Sequence, residues 1–304
     1  MPGEISTIQS LKAVDAWIDV INSNINGGVR TAFKASRLKF AGSNTNVDRA
    51  GTTTSLPLQF PEPSLVTQNT IIDFTQGAVT ASTENSHLAV QGTGWFIVVD
   101  PNSVTASTGA VNAFTANTRA YITRDGEFRT NQWGMLVNSN GYYLVTAGAL
   151  SAGTFTNTDM RCVYNNIDNP GNNANAISAI RLSDFMTNNL AAAMTGSGSA
   201  AGVAATATAI AKVTLGAQSL QYTQFGSTVF SFGFTSAGGT DTNIAIRSAT
   251  TSDASILGKS LEASNASMTQ SVPELSLAQK LFSALTKVLQ TKQTNIDGVI
   301  NLIR

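Results

Sequence analysis

The sequence predicts an α+β chain: a discontinuous coiled-coil-like helical domain built from the two ends, around a mainly antiparallel β domain that carries an insertion. Apolar residues near both termini recur at alternating steps of three and four, the spacing of a helix seam. The middle of the chain changes to a period of two, punctuated by turn pairs such as Asn140-Gly141. At 304 residues there is enough chain for two or three domains with cores of their own.

The first helix is read over residues 4–26. Ile8, Leu11, Val14, Ile18, Ile21 and Ile25 form its seam, with Trp17 and Val20 beside them. Gly27 and Gly28 stop it. At the other end Leu275, Ala278, Phe282, Leu285, Leu289, Lys292, Ile296, Val299 and Ile303 repeat the pattern, and Leu281, Val288 and Ile300 widen the stripe. Ser271 and Glu274 have capping-box spacing, with Pro273 in the first turn, so this helix is placed from residue 271. A helix of thirty residues is about 45 Å long. So wide an apolar face needs a partner: the two ends pack on each other as a coiled coil, or both pack on one globular core. The helical domain is set at 1–28 and 271–304.

Residues 29–64 read as an extended connector with a basic tilt (Arg30, Lys34, Arg37, Lys39, Arg49) and Pro57, Pro61 and Pro63. The β domain takes 65–150 and 218–270. Ile71 to Phe74 is a short strand, and Leu88 to Val90 leads through Gly92 and Gly94 into the apolar strand Trp95 to Val99. Asp125-Gly126 and Asn140-Gly141 each predict a hairpin, flanked by Tyr121–Thr123 with Glu127–Thr130 and by Met135–Val137 with Tyr142–Val145. Val229 to Phe234 is another strand, and Asn243 to Arg247 the last one. Residues 151–217 form a variable insertion or a small second β subdomain. Its Gly/Ser/Ala/Thr run over 195–209 is a linker or a small-residue packing surface.

Composition excludes several functions. Net charge is zero and charged residues make up 12%, which argues against nucleic acid as partner. No apolar run is long enough to insert in a membrane. Glu4, Lys12, Asp15 and Asp19 interrupt any secretory signal, so export would proceed without a cleaved one. Cys162 is the single cysteine and reads as a small buried hydrophobe. His87 is the single histidine, so no site with two histidines exists; it reads as a loop or surface residue. Gly92-Thr93-Gly94 precedes a strand, unlike a phosphate loop. Trp95, Phe96, Tyr142 and Tyr143 read as sheet packing before they read as a sugar platform. The expectation is no enzyme, no cofactor and no metal.

Several stretches resemble the bacterial flagellar rod and hook proteins. Ile18-Asp19-Val20-Ile21-Asn22-Ser23-Asn24-Ile25-Asn26, then Thr31-Ala32-Phe33-Lys34 and Arg37, are similar to that family's opening signature. Its central motif is matched by Asp73-Phe74-Thr75-Gln76-Gly77 and by Leu88 to Val98, including Gly92, Gly94 and Phe96. Tyr121 to Phe128, with Arg124, Gly126 and Phe128, resembles the next motif, and Leu261-Glu262-Ala263-Ser264-Asn265 the C-terminal one. Gly27-Gly28-Val29-Arg30 departs from the family's usual link. The resemblance implies a subunit that polymerises helically into a hollow rod- or hook-like tube, with terminal helices inside and β domains outside. It also implies as partners further copies of the chain, adjoining axial proteins and the flagellar type III export apparatus. The location implied is the basal body in the periplasm or the extracellular hook. The alternative from the residues alone is a secreted β module that binds glycan or protein, carried on a helical stalk.

Overall fold

The computed structural model describes residues 2–43, 46–60, 64–107, 110–114, 120–146, 161–168, 179–186, 210–215, 220–224, 226–231 and 245–303. Most of the insertion, including the small-residue run over 195–209, therefore lies outside the described residues. The fold is α+β, with a helix at each end of a mainly antiparallel β region. The chain divides into two compact units: residues 1–29, 35–74 and 266–304 form one, and residues 30–34 with 75–265 form the other.

The first unit holds the N-terminal helix (Pro2–Gly27), the C-terminal helix (Met268–Ile303) and four strands, β1 (Ser36–Gly42), β2 (Asn46–Arg49), β3 (Leu58–Phe60) and β4 (Leu65–Ile72). β1 pairs with β4 from Ser36↔Ile72 to Gly42↔Leu65, and β2 pairs with β3, both antiparallel. Residues 36–42 fall within the 29–64 stretch whose sequence predicts an extended connector. They form a strand here because the helix supplies the core: Phe40 meets Trp17 edge-on, with ring centroids 5.6 Å apart. Asn24 fixes the entry to β1, donating to the Ser36 carbonyl at 2.7 Å and accepting from its N–H at 2.8 Å.

The capping box at Ser271 does not form. The C-terminal helix starts one turn earlier, at Met268, and the Ser267 carbonyl receives the N–H groups of Gln270 and Ser271. The Ser271 hydroxyl donates back to the same carbonyl instead of capping. Pro273 is thus inside the helix, where it removes the N–H that would have met the Thr269 carbonyl.

The second unit contains β5 (Val79–Ala81), β6 (Leu88–Gly92), β7 (Gly94–Val99), β8 (Val104–Ser107), β9 (Ala110–Phe114), β10 (Ala120–Thr123), β11 (Arg129–Thr130), β12 (Leu136–Val137) and β13 (Tyr143–Thr146). It continues with β14 (Arg161–Tyr164), β15 (Ala179–Arg181), a five-residue helix (Leu182–Met186), β16 (Ile210–Leu215), β17 (Gln221–Thr223), β18 (Gly226–Ser231), β19 (Ala245–Ser248), β20 (Ala254–Gly258) and β21 (Ser260–Glu262). The largest sheet among the described residues runs β11-β12-β13-β7-β10-β18-β17. β7 lies at its middle, bonded to β10 on one side and to β13 and β16 on the other, so an all-apolar strand is what the position demands. Phe96 and Val98 point from β7 into a core with Phe128, Leu144, Val163 and Phe185.

Asn140-Gly141 makes the expected turn, with Val137 opposite Tyr143 and Gly141 at φ 84. Asp125-Gly126 does not. β10 is already bonded on both edges, by β7 and β18, so residues 127–130 cannot fold back onto it. They leave to pair with β12, and Gly126 crosses β6 closely, its carbonyl accepting the Leu88 N–H at 3.0 Å. A Cβ at Gly126 would sit 1.5 Å from the Leu88 carbonyl oxygen. Nor is the stretch ending at Arg247 the last strand: β20 and β21 follow, pairing β6 and β5.

Candidate functional site

Two constellations stand out, one in each unit. In the helical unit the two long helices run antiparallel. Met268 lies beside Gly28, and Lys292 Nζ donates to Thr7 Oγ1 at 3.1 Å. Val14, Ile21 and Ala278 are sealed between them, with Trp17, Ile18, Ile25, Leu275 and Leu285 half-buried around. Leu11, Leu289 and Ile296 are half-buried as well. Ser10 Oγ accepts the Leu65 N–H and Gln9 Oε1 the Ser64 hydroxyl, which ties the N-terminal helix to β4.

Not every seam residue is covered. Ile8, Phe282 and Val299 remain exposed, at 43%, 37% and 60%, and the side chain of Ile303 lies outside the described residues. With one residue every 100°, Leu277, Leu281, Ala284, Val288, Asn295, Val299 and Leu302 form a second stripe about 90° round the C-terminal helix from Ala278. All seven are exposed, and they follow each other at steps of four, three, four, seven, four and three. Along the rest of this helix the hydroxyls of Ser276, Ser283, Thr286, Thr291 and Thr294 donate to the carbonyl four residues back. Those hydroxyl donors are satisfied without water.

In the β unit the motif residues meet at a buried charge cluster. Glu262 is fully buried, and its Oε1 accepts from Lys34 Nζ at 2.6 Å and from the Gly77 N–H at 3.0 Å. Its Oε2 accepts from Arg124 Nη1 at 3.1 Å. Lys34 is equally buried and also donates to the Thr75 carbonyl at 2.8 Å. Arg124 donates to the Val90 and Gly92 carbonyls and lies over the Trp95 ring, 5.1 Å from its centroid. Asn265 donates to Thr75 and to the Phe33 carbonyl. The cluster therefore joins chain segments from the start, centre and end of the unit.

Electrostatics follow from this burial. Desolvation pushes the Arg124 guanidinium below its usual value, and Glu262 opposes that shift. Burial raises the neighbouring Asp125 carboxyl, although the Glu127 N–H and Thr31 Oγ1 both donate to it. Glu262 and Lys34, not singled out by sequence reasoning as site residues, are its central pair. Their one signal is a position inside the terminal motifs.

Among the other motif residues, Gly77, Gly92, Gly94 and Gly126 each sit where a Cβ would meet a neighbour at 2.9 Å or less. Phe96 and Phe128 pack edge-on, centroids 5.4 Å apart. Asp73 and Phe74 belong to the helical unit, where the Asp73 N–H donates to the Ala35 carbonyl. Trp95, Phe96, Tyr142 and Tyr143 are buried, so they present no platform to a sugar. Cys162 is buried in apolar surroundings that push its thiol up to about 12, far from a thiolate nucleophile. His87 is half-buried in a loop, its Nδ1 2.7 Å from Ser82 Oγ. No group of three potential metal ligands occurs among the described residues. No described helix is long and apolar enough to cross a membrane.

Comparison with known proteins adds one relation. No protein-family model matches the chain. Over 74 residues it is 36% identical to the flagellar hook protein FlgE of Brucella abortus, and to those of Brucella suis and Brucella melitensis. The match covers 24% of this chain and 15% of each relative's length. Part of the chain is thus related to flagellar hook proteins.

Proposed function

We propose that the chain is a structural subunit that polymerises helically into a hollow axial tube of the flagellar rod or hook kind, transmitting torque and serving as an export channel. The second stripe on the C-terminal helix carries this reading. One apolar seam of that helix is used within the chain. A second, with the same heptad steps, stays exposed among the described residues of the unit. Leu277, Leu281, Val288, Val299 and Leu302 leave 58%, 38%, 46%, 60% and 90% of their surface uncovered. Covering that surface in a neighbour contributes about 4–9 kcal/mol per subunit before the entropy of association is deducted. Asn295, at one position of the stripe, fixes the register of such a contact, as a single polar core residue does in a coiled coil.

Further copies of the chain are the first partners in this reading. Adjoining axial rod or hook proteins and the flagellar type III export apparatus follow from the hook-protein relation. The role is mechanical and needs no catalytic group, cofactor or metal. The test is sedimentation of the full chain and of the double variant Leu281→Asp/Val288→Asp over rising concentration. The parent forms pelletable polymer, and the variant stays monomeric with an unchanged circular dichroism spectrum. Equal assembly by both, or a parent that never leaves the monomer, overturns the proposal.

A further inference from the structure

We propose that the Lys34–Glu262–Arg124 cluster is a closure latch, which keeps the β unit open until its last segment arrives and then lets it fold in one step. The sequence separations make the case. Glu262 meets Lys34 across 228 positions, Gly77 across 185 and Arg124 across 138. Lys34 and Arg124 are 0% and 3% exposed, so both cations are sealed in whenever the unit is closed. A desolvated Arg124 guanidinium without the Glu262 carboxylate opposes closure strongly.

The same terminal segment supplies more than a charge. β20 pairs with one edge of β6 from Leu88 to Gly92, and β21 pairs with β5. The Glu262 carbonyl accepts the Ala32 N–H at 2.8 Å, and the Ala263 N–H donates to the Ala78 carbonyl at 2.8 Å. Ala89, between Leu88 and Val90, is fully buried once β20 is in place, so in the closed unit water does not replace the pairing with β20. Before residues 254–263 dock, the floor of the core therefore lacks its β20 edge, and Arg124 lacks the Glu262 carboxylate. Local contacts cannot compensate, because the partners come from opposite ends of the unit. The inference concerns the monomer and does not depend on polymerisation.

Pulse-labelled hydrogen exchange during refolding of the full chain, read by mass spectrometry, tests it. Amides in 88–99 and 120–123 should gain protection in the same kinetic phase as those in 254–262. Glu262→Gln should slow that phase by at least about tenfold. Asp253→Asn lies one residue before that segment and breaks ion pairs with the partly exposed Lys212 and Arg247, so it should change the phase by no more than about twofold. Protection of 88–99 in an earlier phase than 254–262 overturns the latch, whether or not the Glu262→Gln chain reaches the native state. A Glu262→Gln chain that refolds at the parent rate overturns it too.

Discussion

Glu262→Gln removes one charge and almost no volume, so it isolates the electrostatic part of the buried cluster. The glutamine carbonyl can still accept from two donors, but three converge on the native carboxylate, from Lys34, Gly77 and Arg124, and the amide nitrogen only donates. Arg124, 3% exposed, then loses the charge of its carboxylate partner, and Lys34, 0% exposed, loses its ion pair with Glu262. Breaking a buried pair by removing one partner costs about 3–5 kcal/mol. We take about 4 kcal/mol, since Arg124 keeps its bonds to the Val90 and Gly92 carbonyls. With an m-value of about 2 kcal/mol/M in urea, the unfolding midpoint of the β unit falls by about 2 M. Fluorescence of Trp95, which lies under the Arg124 guanidinium, follows the transition. Ellipticity at the helix band follows the terminal helices separately. Arg129→Gln is the control: its pair with Glu127 leaves Arg129 77% exposed, so stability should change by less than about 0.5 kcal/mol, about 0.25 M in midpoint. A loss below about 1 kcal/mol for Glu262→Gln would refute the assignment of the cluster as the unit's electrostatic anchor.

Two further outcomes rest on the same geometry. Gly126→Ala should cost at least about 3 kcal/mol, because its Cβ would lie 1.5 Å from the Leu88 carbonyl oxygen and backbone must move. Gly141→Ala, at φ 84 in open space, should cost about 1 kcal/mol; equal urea midpoints for the two would contradict the crossing at Gly126. Asp125 titrates above its ordinary 3.8 because it is buried, so the folded state binds its proton more tightly than the unfolded state does. Its contribution is fully present below that ordinary value and is lost as pH rises through the raised one. The stability of the parent relative to Asp125→Asn should therefore fall as pH rises from below 3.8, by urea midpoint; a gap that grows in the parent's favour would contradict the raised carboxyl.

The helices were legible because a period near 3.6 survives whatever they pack on. So was β7, whose unbroken apolar run follows from having neighbours on both edges. Periodicity could not say which stripe is used within the chain. Leu275 and Leu281 carry the same signal, yet the first packs against the N-terminal helix and the second remains exposed. β20 and β21 were hidden by their brevity, by Gly258 at the end of the first and by Lys259 between them, the latter at φ 52. Ser267 and Ser271 are equivalent as candidate caps by residue type, and only the surrounding chain chooses. The pairing of Lys34 with Glu262 was the least legible feature, since no local pattern links residues 228 positions apart.

In the proposed polymer the C-terminal helix presents its second seam to another copy of the chain. Electron cryomicroscopy with helical averaging of the concentrated full-length chain would show this contact. The expected result is tubes whose inner layer is formed by the terminal helices, with Leu281, Val288 and Leu302 buried between subunits. Particles that remain discrete under widely varied conditions would contradict it. So would a polymer in which that stripe still faces solvent.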